Sequence, residues 1–203
     1  SFTFDKNLSF ENGDNGFRNW DEKFTIDEIY TKEIDVPNDK KELEAHFQKC
    51  FHTEQPEQRS AEWYEYRNNR LTASDLWSVV DWNESKVHDI LKKKCGVEQK
   101  YSLGPALLHG IKFEPVATSI YEKRKDVKIV EFGCLPHPYI PYFGASPDGI
   151  CGIESNSKNY VGRMLEIKCP FRRKITGVTP HYYWIQMQLQ LECCDLEECD
   201  FLE

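Results

Sequence analysis

Three short apolar runs follow one another in the middle of the chain, "VKIVEFGCLPHP", "YIPYFGAS" and "RMLEIKC". Each is too short for a buried helix and bounded by Gly, Pro or polar residues, so each reads as a strand. Helical patterns lie on both sides. Upstream are "DEKFTIDEIYTKEI" and, after Pro37, "NDKKELEAHFQKCF", whose apolar positions are Leu43, Phe47 and Phe51. A helix capped by Ser60 opens "SAEWYEYRNNR", and a second begins after Leu71 with Thr72 or Ser74 as its cap. "ESKVHDILKKKCG" is a helix stopped by Gly96. "GPALLHGIKFEPVATSIYEKRK" gives a longer one, apolar at Leu107, Ile111, Val116 and Ile120, where Pro115 marks a kink or a helix start. Downstream, "HYYWIQMQLQLECC" is a helix and "CDFLE" begins a strand. Helices, three strands, a helix and a strand make an α/β or α+β core behind a helical N-terminal region.

The chain has 203 residues, enough for one sizeable domain with an appendage. "QPEQR" interrupts it near 55–59, which divides an acidic, mostly helical extension (1–58) from a domain over 59–203. The serine start and the ending inside a strand read as a trimmed chain. No run approaches the roughly 18 apolar residues of a membrane helix, and the N-terminus has no charged start followed by an apolar block. Eight cysteines are scattered without a C-x-x-C pair, and "CCDLEEC" lacks the spacing of a zinc site. They read as small core hydrophobes in a reducing compartment, cytoplasm or nucleus. The net charge of −8 resides mostly in residues 1–58, which hold 14 acidic and 7 basic residues. The near-neutral remainder carries the basic tracts "LKKKC", "EKRKDVK" and "FRRK", so a polyanion partner is not excluded.

"GASPDGICG" supports two readings. It can be a tight turn, with Pro147 presetting φ, Asp148 bonding its own backbone and Gly149 free to take φ > 0. It can also hold the Asp148 carboxylate at a strand end, aimed at a metal. "LEIKCP" decides between them. Alternation along a strand puts Glu166 and Lys168 on one face and Leu165, Ile167 and Cys169 on the other, towards the core. Alone, the pair is a same-strand ion pair of little worth. Asp148 precedes Glu166 by the span of two antiparallel strands joined by "CGIESNSKNYVG". Two carboxylates and a lysine at strand ends suit hydrolysis of a phosphodiester assisted by Mg²⁺, a hard cation that prefers oxygen ligands.

These residues resemble the Asp…Glu-x-Lys signature of the PD-(D/E)xK nucleases. More narrowly, four blocks in order are similar to the YqaJ-type viral recombinases and phage lambda exonuclease: "WYEYRNNRLTAS", "GIKFEPVA", "SPDG" with "LEIKCP", and "YYWIQMQLQLE". The resemblance covers about 59–203 and implies a restriction-endonuclease-like α/β core, a mixed central sheet flanked by helices. It implies Asp148, Glu166 and the carbonyl of Ile167 as ligands of Mg²⁺, for which Mn²⁺ can substitute, with Glu114 completing the site. Lys168 would hold the attacking water, and Gln186, supported by Tyr183, would organise the site. Arg67, four residues after Trp63, would clamp a terminal 5′-phosphate with Ser74, Thr72 lying nearby.

Other readings stay open for some of these residues. Glu114 can be a helix-start acid favoured by the dipole. Gln186, Gln188 and Gln190 can form a polar helix face. His109, His137 and His181 lack metal-ligand spacing. The activity implied is a 5′-to-3′ exonuclease on linear duplex DNA, in recombination, repair or viral DNA processing. A structure-specific or nicking endonuclease and an inactive DNA-binding scaffold are the alternatives. Partners implied are duplex DNA ends, a single-strand annealing protein and, by the resemblance alone, further copies in a trimer.

Overall fold

The computed structural model describes residues 2–3, 40–97 and 104–203; the helix expected over "DEKFTIDEIYTKEI" lies outside them. The strand β7 (Met164–Ile167) is buried at all four positions, so a packed layer covers each of its faces. Antiparallel to it runs β6 (Gly149–Cys151), with Gly149 opposite Leu165, and parallel to it runs β8 (Glu198–Leu202). Beyond these pair β3 (Ile129–Val130) and β1 (Phe2–Thr3), giving a five-stranded sheet in the order β1-β8-β7-β6-β3. A second sheet joins β2 (Leu71–Thr72), β5 (Phe143–Ala145) and β4 (Leu135–Pro136) in the order β2-β5-β4.

Alternation then sorts the core into two layers. Ile150 and Met164 pack on one face with Met187 and Leu191 of α6 (His181–Cys194) and with Phe47 and Cys50 of α1 (Lys40–His52). On the other face Ile129, Cys151, Leu165 and Ile167 pack with Tyr121 of α5 (Pro105–Lys125). α2 (Ala61–Asn68) and α3 (Ala73–Val80) contact β2, α3 also packs on α6, and α4 (Glu84–Lys94) packs on α3. Among the described residues no helix is long and apolar enough to cross a membrane. The eight cysteines are unpaired, and six of them are buried.

Most expected elements are present, with instructive differences. "VKIVEFGCLPHP" is not one strand: β3 and β4 belong to different sheets, separated by Glu131, Phe132, Gly133 and Cys134. The turn "SPDG" links two sheets rather than two paired strands, because β5 and β6 are not neighbours. Both faces of β7 are core, so Glu166 does not point to solvent; it is 1% exposed. On α1 the buried positions are Phe47 and Cys50, while Phe51 is exposed. Pro115 sits inside an unbroken α5, whose Leu107, Ile111, Val116 and Ile120 are all exposed. Ser60 caps α2 by accepting the Trp63 N–H at 3.1 Å; Thr72 stands at the cap of α3 without such a bond.

Candidate active site

Glu166 is the only acid inside β7, and α6 lies across the strand face that bears it. A buried carboxylate must be hydrogen-bonded or neutralised, and its surroundings supply both. Gln186 Nε2 donates to Oε1 at 2.6 Å, Gln190 Nε2 donates to Oε2 at 2.8 Å, and the Lys168 ammonium pairs with Oε1. Gln186 and Gln190 lie one helical turn apart on α6, so one helix face presents two donors to one carboxylate. The polar-face reading of these glutamines therefore fails for Gln190, which is 1% exposed. Its Nε2 also reaches the Ser146 carbonyl at 3.4 Å, while its Oε1 has no hydrogen-bond partner among the described residues.

Asp148 stands one residue before β6, beside the neighbouring strand. Its Oδ2 accepts the backbone N–H of Ile167 at 2.6 Å, which ties the connection between the sheets to β7. Burial, and then the adjacent Glu166 carboxylate, push the Asp148 pKa up to about 8, against the opposing pull of Lys168. Lys168 titrates above its ordinary value: burial alone would lower it, and the Glu166 and Asp148 charges more than offset that. Tyr183 lies with its ring centroid 5.1 Å from the Lys168 ammonium, a cation–π neighbour that fixes the lysine from the α6 side.

A cavity of about 200 Å³ opens at this cluster, and Glu114, Asp148, Glu166, Lys168 and Gln186 all line it. So do Trp63, Arg67 and Ser74 from α2 and α3. Arg67 donates to Ser74 Oγ at 3.2 Å and to Ser146 Oγ at 3.0 Å, with its guanidinium 4.3 Å from the Trp63 ring centroid. Thr72 is set back from the cavity: buried, it donates to Asp75 Oδ2 at 2.9 Å and contacts Ser74 Oγ at 3.1 Å, holding the start of α3. Lys94 closes the C-terminal end of α2, donating to the carbonyl of Arg67 at 2.7 Å and to that of Arg70.

Glu114 lies ten residues into α5, so it is not a helix-start acid. Its Oε1 accepts from Arg59 Nη2 at 3.0 Å. Arg59, Gln58, Ser146 and Gln190 line the cavity without having been singled out in the sequence. Ser146 had a signal, its place beside Asp148 in "SPDG", and so did Gln190, its four-residue offset from Gln186. His109 and His181 contact aromatic rings, and His137 accepts the N–H groups of Tyr139 and Ile140 at Nδ1 while its Nε2 lies 3.4 Å from Glu192 Oε1.

The donors fit a hard divalent cation. They are carboxylate oxygens, and burial, with the adjacent Glu166 charge, pushes the proton affinity of Asp148 up to about 8, a penalty on its charged form that a cation relieves. Asp148 and Glu166 would hold it. Among the described residues no three His, Cys, Asp or Glu side chains gather at one point, and Glu114 is drawn to Arg59. The site presents the carboxylate pair first.

A mixed sheet between helices, with Asp148 and Glu-x-Lys on adjacent strands, defines the restriction-endonuclease-like PD-(D/E)xK fold. The chain belongs to the family of the YqaJ-like viral recombinase domain, whose family model matches residues 62–197. An uncharacterized protein of Acanthamoeba polyphaga mimivirus is 39% identical over 159 residues, covering 72% of this chain and 29% of that protein. A protein of African swine fever virus is 27% identical over 161 residues, 68% of this chain and 47% of its own length. The chain thus spans between about three tenths and one half of the curated relatives it matches. Among solved structures it is similar to an alkaline exonuclease from Laribacter hongkongensis, at 28% identity and TM-score 0.57, over 70% of this chain and 72% of that one. The same exonuclease in complex with dAMP superposes with TM-score 0.58 at 29% identity, with the same coverage.

Proposed function

We propose that this chain is a divalent-metal-dependent DNA exonuclease that digests linear duplex DNA from 5′-phosphorylated ends. One observation carries the reading: a single cavity is lined both by Asp148, Glu166 and Lys168 and by Arg67 with Ser74. The first group suits phosphodiester hydrolysis, and the second suits capture of a terminal phosphate by a planar guanidinium. The alkaline exonuclease of Laribacter hongkongensis, similar in fold and sequence, supports the same activity class.

In this reading Asp148 and Glu166 hold Mg²⁺, with Glu114 joining them and the Ile167 carbonyl adjacent. The bound cation supplies a water of lowered pKa and neutralises charge on the scissile phosphate. Lys168 holds and orients the attacking water, with its charge kept by Glu166 and its position by the Tyr183 ring. Gln186 and Gln190 hold the Glu166 carboxylate in a single orientation. Trp63 supports the Arg67 guanidinium from below.

The test compares linear duplexes with covalently closed circles, each with Mg²⁺ and with EDTA. Linear duplex is expected to be degraded only with the cation, and closed circles are expected to survive. Cutting of closed circles at a comparable rate would instead assign an endonuclease to the same cavity, and no cleavage of either would leave a binding scaffold.

A further inference from the structure

Arg59 lines the cavity and stands one residue before the Ser60 cap of α2. Its backbone has φ 66°, a left-handed conformation that an arginine adopts at a cost. Strained residues of this kind persist where surrounding structure holds them and cluster at functional sites. Here the conformation is accompanied by a specific contact, the 3.0 Å ion pair with Glu114. The arginine side chain is 51% exposed and the glutamate 32%, so the pair is open to solvent and to an incoming ligand. Exposed pairs of this kind are weak, and exchange of partner is correspondingly easy.

Two other observations bear on what the pair does. Glu114 is not gathered with Asp148 and Glu166 into a three-carboxylate group among the described residues, although all three line the same cavity. Arg67, the other arginine lining that cavity, already donates to two serine hydroxyls, whereas Arg59 donates to a carboxylate that a cation would claim. We infer that Arg59 is a phosphate-binding residue that guards Glu114: without DNA it holds the carboxylate away from the cation, and a nucleic-acid phosphate entering the cavity draws the guanidinium off and frees Glu114 for the metal. The inference rests on the nuclease reading of the cavity. Its consequence is an order of assembly, in which the third carboxylate joins only when DNA is present. A guanidinium suits both partners, since carboxylate and phosphate present it with the same bidentate edge.

Removing Arg59 therefore has opposite effects on two ligands, and a residue that merely braces the fold would not show that pattern. The variants are Arg59→Gly and Arg59→Asn in the full chain, both compatible with a left-handed backbone. Mn²⁺ binding without DNA is followed by calorimetry, and binding of a short 5′-phosphorylated duplex in EDTA by fluorescence anisotropy. Both variants are expected to bind Mn²⁺ about two- to fivefold more tightly than wild type. They are expected to bind the duplex on the order of tenfold more weakly, with a shallower salt dependence. In a Glu114→Gln background the gain in Mn²⁺ affinity should vanish, because nothing is left to release. Unchanged or weaker Mn²⁺ binding in both Arg59 variants overturns the guarding role, and undiminished duplex binding overturns the phosphate contact. Wild type and Asp148→Ala binding Mn²⁺ alike would overturn the cavity reading itself, and the inference with it.

Discussion

Asp148 is the residue at which folding and chemistry pull in opposite directions. In the unfolded chain it ionises near 3.8, and in the folded, metal-free protein burial and Glu166 raise this to about 8. Between those values the folded protein keeps a proton that the unfolded chain has released. The Asp148 contribution to stability is then fully present below about pH 4 and is lost as the pH rises towards 8, by at most about 1.4 kcal/mol per pH unit. Asp148→Asn has no proton to lose. In EDTA its melting temperature should exceed that of wild type at pH 8, the gap should narrow by pH 5, and cleavage should be abolished. Equal melting temperatures at pH 8 would mean that neither burial nor Glu166 penalises the Asp148 charge. Cation affinity has the reverse dependence, rising towards pH 8 as the ligand loses its proton. Glu166 and Lys168 were legible in sequence because strand alternation puts residues two apart on one face, and Asp148 because its turn precedes them by the span of two strands. Arg59 was not, since it lies in the irregular stretch before α2, where no periodicity tells direction.

The elements that were legible are those with a cap or with a length beyond a strand's: α2 with Ser60, α4 ending at Gly96, and the 14-residue α6. Pairing between strands depends on contacts distant in sequence, and that is where "VKIVEFGCLPHP" divides between two sheets. Gly149 shows the same limit. The turn reading assigns it a conformational role, but its φ is not in the left-handed region. It is glycine for lack of space: an added Cβ would stand 2.2 Å from Ile129 Cγ2 and 3.3 Å from the Val130 carbonyl oxygen. The close approach of β3 to β6 thus requires a bare position directly after Asp148. Gly149→Ala should cost about 1–3 kcal/mol by overpacking, and it should lower cleavage because Asp148 moves with it. Ile129→Ala removes the opposing methyl, so the double variant should be more stable than the two single losses predict. Strictly additive losses in denaturant unfolding would show that the two side chains do not compete for that space.

Across the whole molecule, the two ends of the cavity are built from different parts of the fold and joined by one connection. In the proposed reading the cutting side would come from β6, β7, α5 and α6, and the clamp from α2 and α3. Residues 146–148 touch both: Ser146 Oγ accepts from Arg67, its carbonyl accepts from Gln190, and Asp148 is bonded to β7. If Arg67 holds a terminal phosphate as proposed, these contacts tie that phosphate to the carboxylates, as an enzyme that measures from an end requires. A charge-assisted contact of this kind is worth on the order of 1.5–3 kcal/mol. Arg67→Ala should cost about tenfold to a hundredfold in cleavage of 5′-phosphorylated duplexes, and much less on 5′-hydroxyl ends, where no terminal phosphate meets the guanidinium. Lys94→Ala, which loosens the end of α2 rather than the clamp itself, should show the same preference at smaller amplitude. Crossing mutation with end chemistry separates an end clamp from a general backbone contact, which would weaken both substrates alike and reduce the salt slope. Equal losses on both ends would remove Arg67 from end recognition and leave the cavity with a cutting centre that does not count from the terminus.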